Sequence, residues 1–146
     1  MFIKIFIIAE STDDASLKDL QDHFLSLGCD VHEIVGMGQA MAFLGREETS
    51  VDLAVVVIRH TDQEDRLRTA DEIKEQHKIP VLLAFVGDCF ANDCKDRLRV
   101  FAGSLHFDSL VEPFSYKQVD IALQTAMLKF ELEKNYRGVT LKLKIN

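Results

Sequence analysis

Tryptophan is absent from this 146-residue chain, tyrosine and proline occur twice each, and cysteine three times. So few large flat rings leave little to sandwich a flavin. Two prolines and seven glycines exclude a collagen-like or low-complexity chain. The cysteines, Cys29, Cys89 and Cys94, are odd in number and have no framework spacing, which excludes a disulfide scaffold and points to a reducing, cytoplasmic setting. Cys89 and Cys94 do not have the C-x₂₋₄-C spacing of a zinc site. The five histidines form no local ligand pattern. Basic residues are in the minority, 17 against 24 acids for a net charge of −7, which argues against a nucleic-acid partner, whose phosphates need a basic footprint. No apolar run approaches the ~20 residues of a membrane helix. The opening MFIKIFIIAE is too short for a signal segment and runs into acids, so it reads as a buried strand.

What is present suffices for one globular domain: 47% hydrophobic and 28% charged residues. The chain alternates apolar runs with amphipathic stretches. Ile3–Ala9, Asp30–Val35, Val51–Ile58, Ile79–Val86 and Ser104–Val111 read as strands. Asp13–Leu27 (with Thr12 as N-cap and Gly28 as stop), Gln39–Arg46, Glu64–His77, Phe90–Ala102 and Ser115–Tyr136 read as helices. The run VDLAVVVI fits a strand buried on both faces. Strands joined through helices are parallel, with right-handed crossovers, so the expected fold is a three-layer α/β sandwich around a five-stranded parallel sheet. The functional crevice of such a fold lies at the carboxyl ends of the strands: here Ala9–Ser11, Gly36–Gly38, Val57–Thr61, Phe85–Asp88 and Val111–Pro113.

The last ten residues, 137–146, stand apart from the domain at 1–136. Val139–Ile145 alternates apolar and polar residues, a strand pattern. It could extend a sheet edge, pair with another chain, or begin a further segment. On the long last helix, Val119, Leu123, Ala126 and Phe130 form a core stripe. Ile121, Leu128 and Leu132 lie on another side at 7- and 4-residue intervals. Those three are either part of a wide core stripe or an interface.

From Ile3 to about Glu133 the sequence resembles the receiver domains of response regulators. The third-strand pattern is matched by Asp52-Leu53-Ala54-Val55-Val56-Val57-Ile58-Arg59. The helix after it is matched by Ala70-Asp71-Glu72-Ile73, and the fourth strand by Ile79-Pro80-Val81. The end of strand five is matched by Glu112-Pro113-Phe114. The resemblance implies the receiver (flavodoxin-like) strand order 2-1-3-4-5, a cis Glu112-Pro113 bond, and a dimer face made by the fourth helix, fifth strand and fifth helix.

It also shows which receiver residues are missing. The phosphoacceptor aspartate is replaced by Val57, and the acidic pair after strand one by Ala9 and Glu10. The switch hydroxyl is replaced by Phe85 and the aromatic switch residue by Ser109. The lysine that pairs with phosphoryl oxygens is replaced by Glu112, before Pro113. Phosphoryl transfer needs an acceptor, a metal and a cation around the moving group. The expectation is therefore a pseudo-receiver, non-enzymatic and without cofactor, with Val57 and Phe85 as an apolar plug. Its partner would be a protein, such as a histidine kinase or an output domain, and it would form a homodimer.

Two alternatives stay open. One is a receiver that still answers Mg²⁺ or a phosphate analogue through Glu10 and Glu112, helped by Asp13 or Asp14, or through Asp62 or Asp88 as an unusual acceptor. Against it, Glu10 and Glu112 could be solvated or paired with an arginine such as Arg59. The other is a flavodoxin-like cofactor carrier, although the loop Glu10-Ser11-Thr12-Asp13-Asp14 lacks glycine and carries three acids. The G-x-G at Gly36-Met37-Gly38 reads as a tight turn into a helix rather than a dinucleotide loop.

Overall fold

A computed structural model describes residues 3–10, 15–45, 51–59, 63–87 and 107–145. Five strands, β1 (Lys4–Ala9), β2 (Asp30–Val35), β3 (Leu53–Ile58), β4 (Val81–Phe85) and β5 (Asp108–Val111), form one sheet. All neighbours pair in parallel, in the order β2-β1-β3-β4-β5. The described helices are α1 (Ala15–Ser26), α2 (Met37–Leu44), α3 (Gln63–His77) and α4 (Tyr116–Ile145). The expected three-layer α/β sandwich is present. The expected helix over Phe90–Ala102, its neighbours Cys89 and Cys94, and the first residues of the expected fifth strand lie outside the described residues, as do Thr12, Asp13 and Asp14.

The continuous apolar runs become the central strands because each successive side chain enters a different core. On one face Ile5, Ile7, Val55, Val57, Leu82 and Ala84 pack with Leu17, Leu20 and Phe24 of α1 and Val119, Leu123 and Ala126 of α4. On the other, Phe6, Ile8, Val56, Ile58, Leu83 and Phe85 pack with Ala40 and Leu44 of α2 and Ala70 and Ile73 of α3. Phe6 also meets Phe43 edge-on, with ring centroids 4.9 Å apart.

Local signals mark several helix ends. Gly28, at φ 83, lets the chain reverse after α1, where a Cβ would be strained. Ser115 caps α4, its Oγ accepting the Gln118 N–H at 3.2 Å. Gly36 sits at the N-cap of α2, so the expected turn is there, but α2 starts at Met37 and takes Gly38 into the helix.

The alternating segment Val139–Ile145 is not a strand: α4 continues through it for a total of 30 residues, with no break at position 137. The physical reason is cooperative. A helix already running adds one hydrogen bond for each residue it fixes, whereas a lone strand gains none without an edge to pair with. Gly138 costs only about 1 kcal/mol inside such a helix, too little to end it.

Candidate functional site

The carboxyl ends of β1, β3, β4 and β5 converge at one edge of the sandwich. At β1, Ala9 is buried and the chain emerges at Glu10. Glu10 Oε1 is paired with Arg66 Nη2, which reaches it from the first turn of α3. Glu10 is 55% exposed, but the Arg66 side chain only 3%. Burial pushes the Arg66 guanidinium below its ordinary pKa. The carboxylate–arginine pair expected of Glu10 therefore exists, and Arg66 forms it.

Val57, which the resemblance puts at the acceptor position, is buried near the end of β3 and lies opposite Ala84. Phe85 is fully buried but lies opposite Ile58, one residue further on. Because side chains alternate along a strand, Val57 and Phe85 enter the two different cores. They do not form a shared plug. The apolar residues that accompany Val57 at this end of its face are Ala9, Ala84 and Val86.

At β5, Ser109 lies opposite Leu83 and is half-buried. Glu112 follows β5, and the Glu112-Pro113 bond is cis, as the resemblance implies. The Glu112 backbone N–H donates to Phe85 O at 3.0 Å. Its carboxylate accepts from two distant places: Ser16 Oγ on α1 donates to Oε1, and the Gly87 N–H donates to Oε2 at 2.8 Å. Gly87 has φ 111, a backbone conformation that brings its N–H to the carboxylate and that a side chain would strain.

Both carboxylates expected as metal ligands, Glu10 and Glu112, thus already have partners within the protein. Among the described residues no three of His, Cys, Asp and Glu come together to hold a metal. Asp62 and Asp88 lie outside the described residues. Sequence reasoning missed Arg66, Ser16 and Gly87. Arg66 carried a signal: with Ala70 and Ile73 it continues the buried i, i+4, i+7 stripe of α3, where an arginine is out of place.

The outer face of α4 carries a second feature. Ile121, Leu128 and Leu132 are 55%, 62% and 58% exposed. At 100° per residue they fall within an arc of about 40°, nearly opposite the stripe of Val119, Leu123 and Ala126. They are not part of a wide core stripe. No described helix is long and apolar enough to cross a membrane.

This architecture is shared by solved receiver domains. A signal receiver domain of an HD-domain-containing protein from Pseudomonas fluorescens Pf-5 matches with a TM-score of 0.67 at 19% identity, over 92% of this chain and 93% of that one. The receiver domain of a modulated diguanylate cyclase from Desulfovibrio desulfuricans G20 matches with a TM-score of 0.68 at 18% identity, over 91% and 99%. NtrX from Brucella abortus matches with a TM-score of 0.68 at 18% identity, over 95% of this chain but 30% of NtrX, so this chain spans less than a third of that protein. No family model matches the sequence, and no curated protein does. At these identities the likeness establishes the receiver fold.

Proposed function

We propose that this chain is a pseudo-receiver: a receiver fold that has given up phosphotransfer and works as a cytoplasmic, non-enzymatic protein–protein module in two-component-type signalling. The observation that carries this reading is the pair of substitutions at the crevice. Val57 fills the acceptor position with a buried methyl-bearing side chain, and Glu112 puts a carboxylate, already held by Ser16 and Gly87, at the position of the cation. A carboxylate there opposes the charge that develops in phosphoryl transfer, which positioned cations ordinarily neutralise.

The surface through which the module acts is the outer face of α4. Exposed large apolar side chains in one narrow stripe are costly to leave in water and mark interaction surfaces. The 7- and 4-residue spacing of Ile121, Leu128 and Leu132 suits pairing of α4 with a second copy of itself. A histidine kinase or an output domain is the further partner this reading implies.

The test is direct. The full chain is incubated with Mg²⁺ and acetyl phosphate and its intact mass measured. Its amide NMR spectrum is then titrated with Mg²⁺ and with Mg²⁺ plus beryllofluoride. The expected result is unchanged mass and flat spectra. A phosphoryl adduct, or saturable shifts around Glu10, Asp62 or Glu112, would overturn the reading in favour of a receiver that responds through non-standard carboxylates.

A further inference from the structure

Three elements meet at one carboxylate. Glu112 uses both oxygens: Oε1 takes the Ser16 hydroxyl, 96 positions earlier in the chain, and Oε2 takes the Gly87 N–H, 25 positions earlier. Its own N–H is bonded to Phe85 O. The segment leaving β5 is therefore tied to α1 on one side and to the exit of β4 on the other. Phe114, two residues on, is buried in the core shared by α1 and α4. Ser115 then caps α4, whose first backbone bond closes from the Val119 N–H to Ser115 O at 3.0 Å. Nothing between Glu112 and the helix is left to absorb a change in direction except the short span 113–115.

We propose that Glu112 is a tether that fixes the direction in which α4 leaves the sheet, and so couples the carboxyl-end crevice to the presentation of the Ile121, Leu128 and Leu132 stripe. The inference rests on the reading of that stripe as an interface. Its physical basis is independent of that reading. A carboxylate accepting two hydrogen bonds, one from a backbone N–H and one from a hydroxyl, holds its donors more firmly than neutral acceptors do. Glu112 is a positioning residue here, acting on α4 through Ser16 and Gly87.

The experiment follows amide hydrogen exchange and oligomeric mass together in the full chain, for the wild type, Glu112→Ala, Glu112→Gln and Ser16→Ala. In Glu112→Ala the amides of Gly87 and Val119 are expected to exchange roughly ten- to hundredfold faster, the effect of losing charge-assisted bonds. Amides of α3 should stay unchanged. Glu112→Gln should fall between, because one amide oxygen can replace only part of what two carboxylate oxygens accept. Ser16→Ala should free the α1 side and leave Gly87 protected. The dimer dissociation constant, from light scattering over a concentration series, should change severalfold in Glu112→Ala.

Unchanged exchange at Gly87 and Val119 overturns the tether. So does a uniform rise that includes α3, which would be general loss of stability. Faster exchange with an unaltered dissociation constant overturns the coupling to the stripe. If the wild type is a monomer at every concentration, the interface reading fails, and the tether is judged by exchange alone. If Glu112→Ala does not fold, Glu112→Gln and Ser16→Ala decide the matter by the same readings.

Discussion

Arg66 Nη2 lies against Glu10 Oε1, so the carboxylate that leaves the first strand is matched by a guanidinium from the start of α3. The two partners differ in their access to water. Arg66 is nearly sealed from solvent, while Glu10 is more than half open. The pair is therefore asymmetric in its consequences.

Removing the carboxylate should cost more than removing the cation. Glu10→Ala deprives a buried guanidinium of a charged partner and is expected to destabilise by about 2 kcal/mol. Arg66→Met leaves a carboxylate that simply rehydrates, and should cost less than about 1 kcal/mol. Urea unfolding of the two variants checks the order. Equal losses would mean that the unequal burial of the two partners does not decide the cost.

On the pseudo-receiver reading, an aspartate placed at position 57 should not bring phosphotransfer. Val57→Asp places a carboxylate among Ala9, Ala84 and Val86, and burial of an unpaired charged group there should cost about 3 kcal/mol. Thermal melting measures that loss. The variant should still take up no phosphoryl group from acetyl phosphate, because on the same reading Glu112 stands where a cation is needed.

Leu128→Glu should separate association from folding. Leu128 is the most exposed of the three stripe residues, so its replacement should change unfolding free energy by no more than about 0.5 kcal/mol. Light scattering should show the mean mass falling to that of a single chain. A monomeric wild type, or a variant that stays dimeric, would count against the outer face of α4 as the contact.

Cys29 supplies a pH signature. Burial raises its thiol above the ordinary pKa of 9.0. As pH rises through about that value, the unfolded thiol ionises while the folded one keeps its proton. The native state then binds more protons than the unfolded state, so stability contributed below that pH is lost as pH climbs toward the folded value. Urea unfolding between about pH 8 and pH 10 should show a shallower decline in Cys29→Ala than in the wild type. The same burial should make Cys29 slow to alkylate in the folded chain, which peptide mass mapping can follow.

The sheet was legible because burial on both faces writes itself into sequence as continuous apolar runs. Ile3–Ala9 and VDLAVVVI could hardly be anything else, and their order with the helical stretches dictates a parallel sheet. Two things were not legible. The alternation of Val139–Ile145 is a strand pattern only where an edge is available, and its helical state follows from the helix already running into it. The partners of Glu112 come from positions 16 and 87, and no local pattern reports a contact over such separations. The shared plug of Val57 and Phe85 failed for a third reason: the resemblance assigns positions along β3 and β4, but the register between the strands puts the two side chains on opposite faces. Arg66 was the readable exception, an arginine inside an apolar stripe.

The length of the last helix has a mechanical consequence. At 1.5 Å per residue, the 30 residues of α4 extend about 45 Å, roughly twice the reach of a six-residue strand. Among the described side chains, those of α4 packed in the core shared with α1 run from Val119 to Met127, and Phe130 beyond them is half-buried. On the tether reading, the helix acts as a lever with its fulcrum beside Glu112. A tilt of only about 5° at that fulcrum would swing the far end of a helix about 45 Å long by about 4 Å, roughly three-quarters of the rise of one helical turn. A displacement too small to alter packing at the base would thus arrive at the tip as a shift of several ångströms.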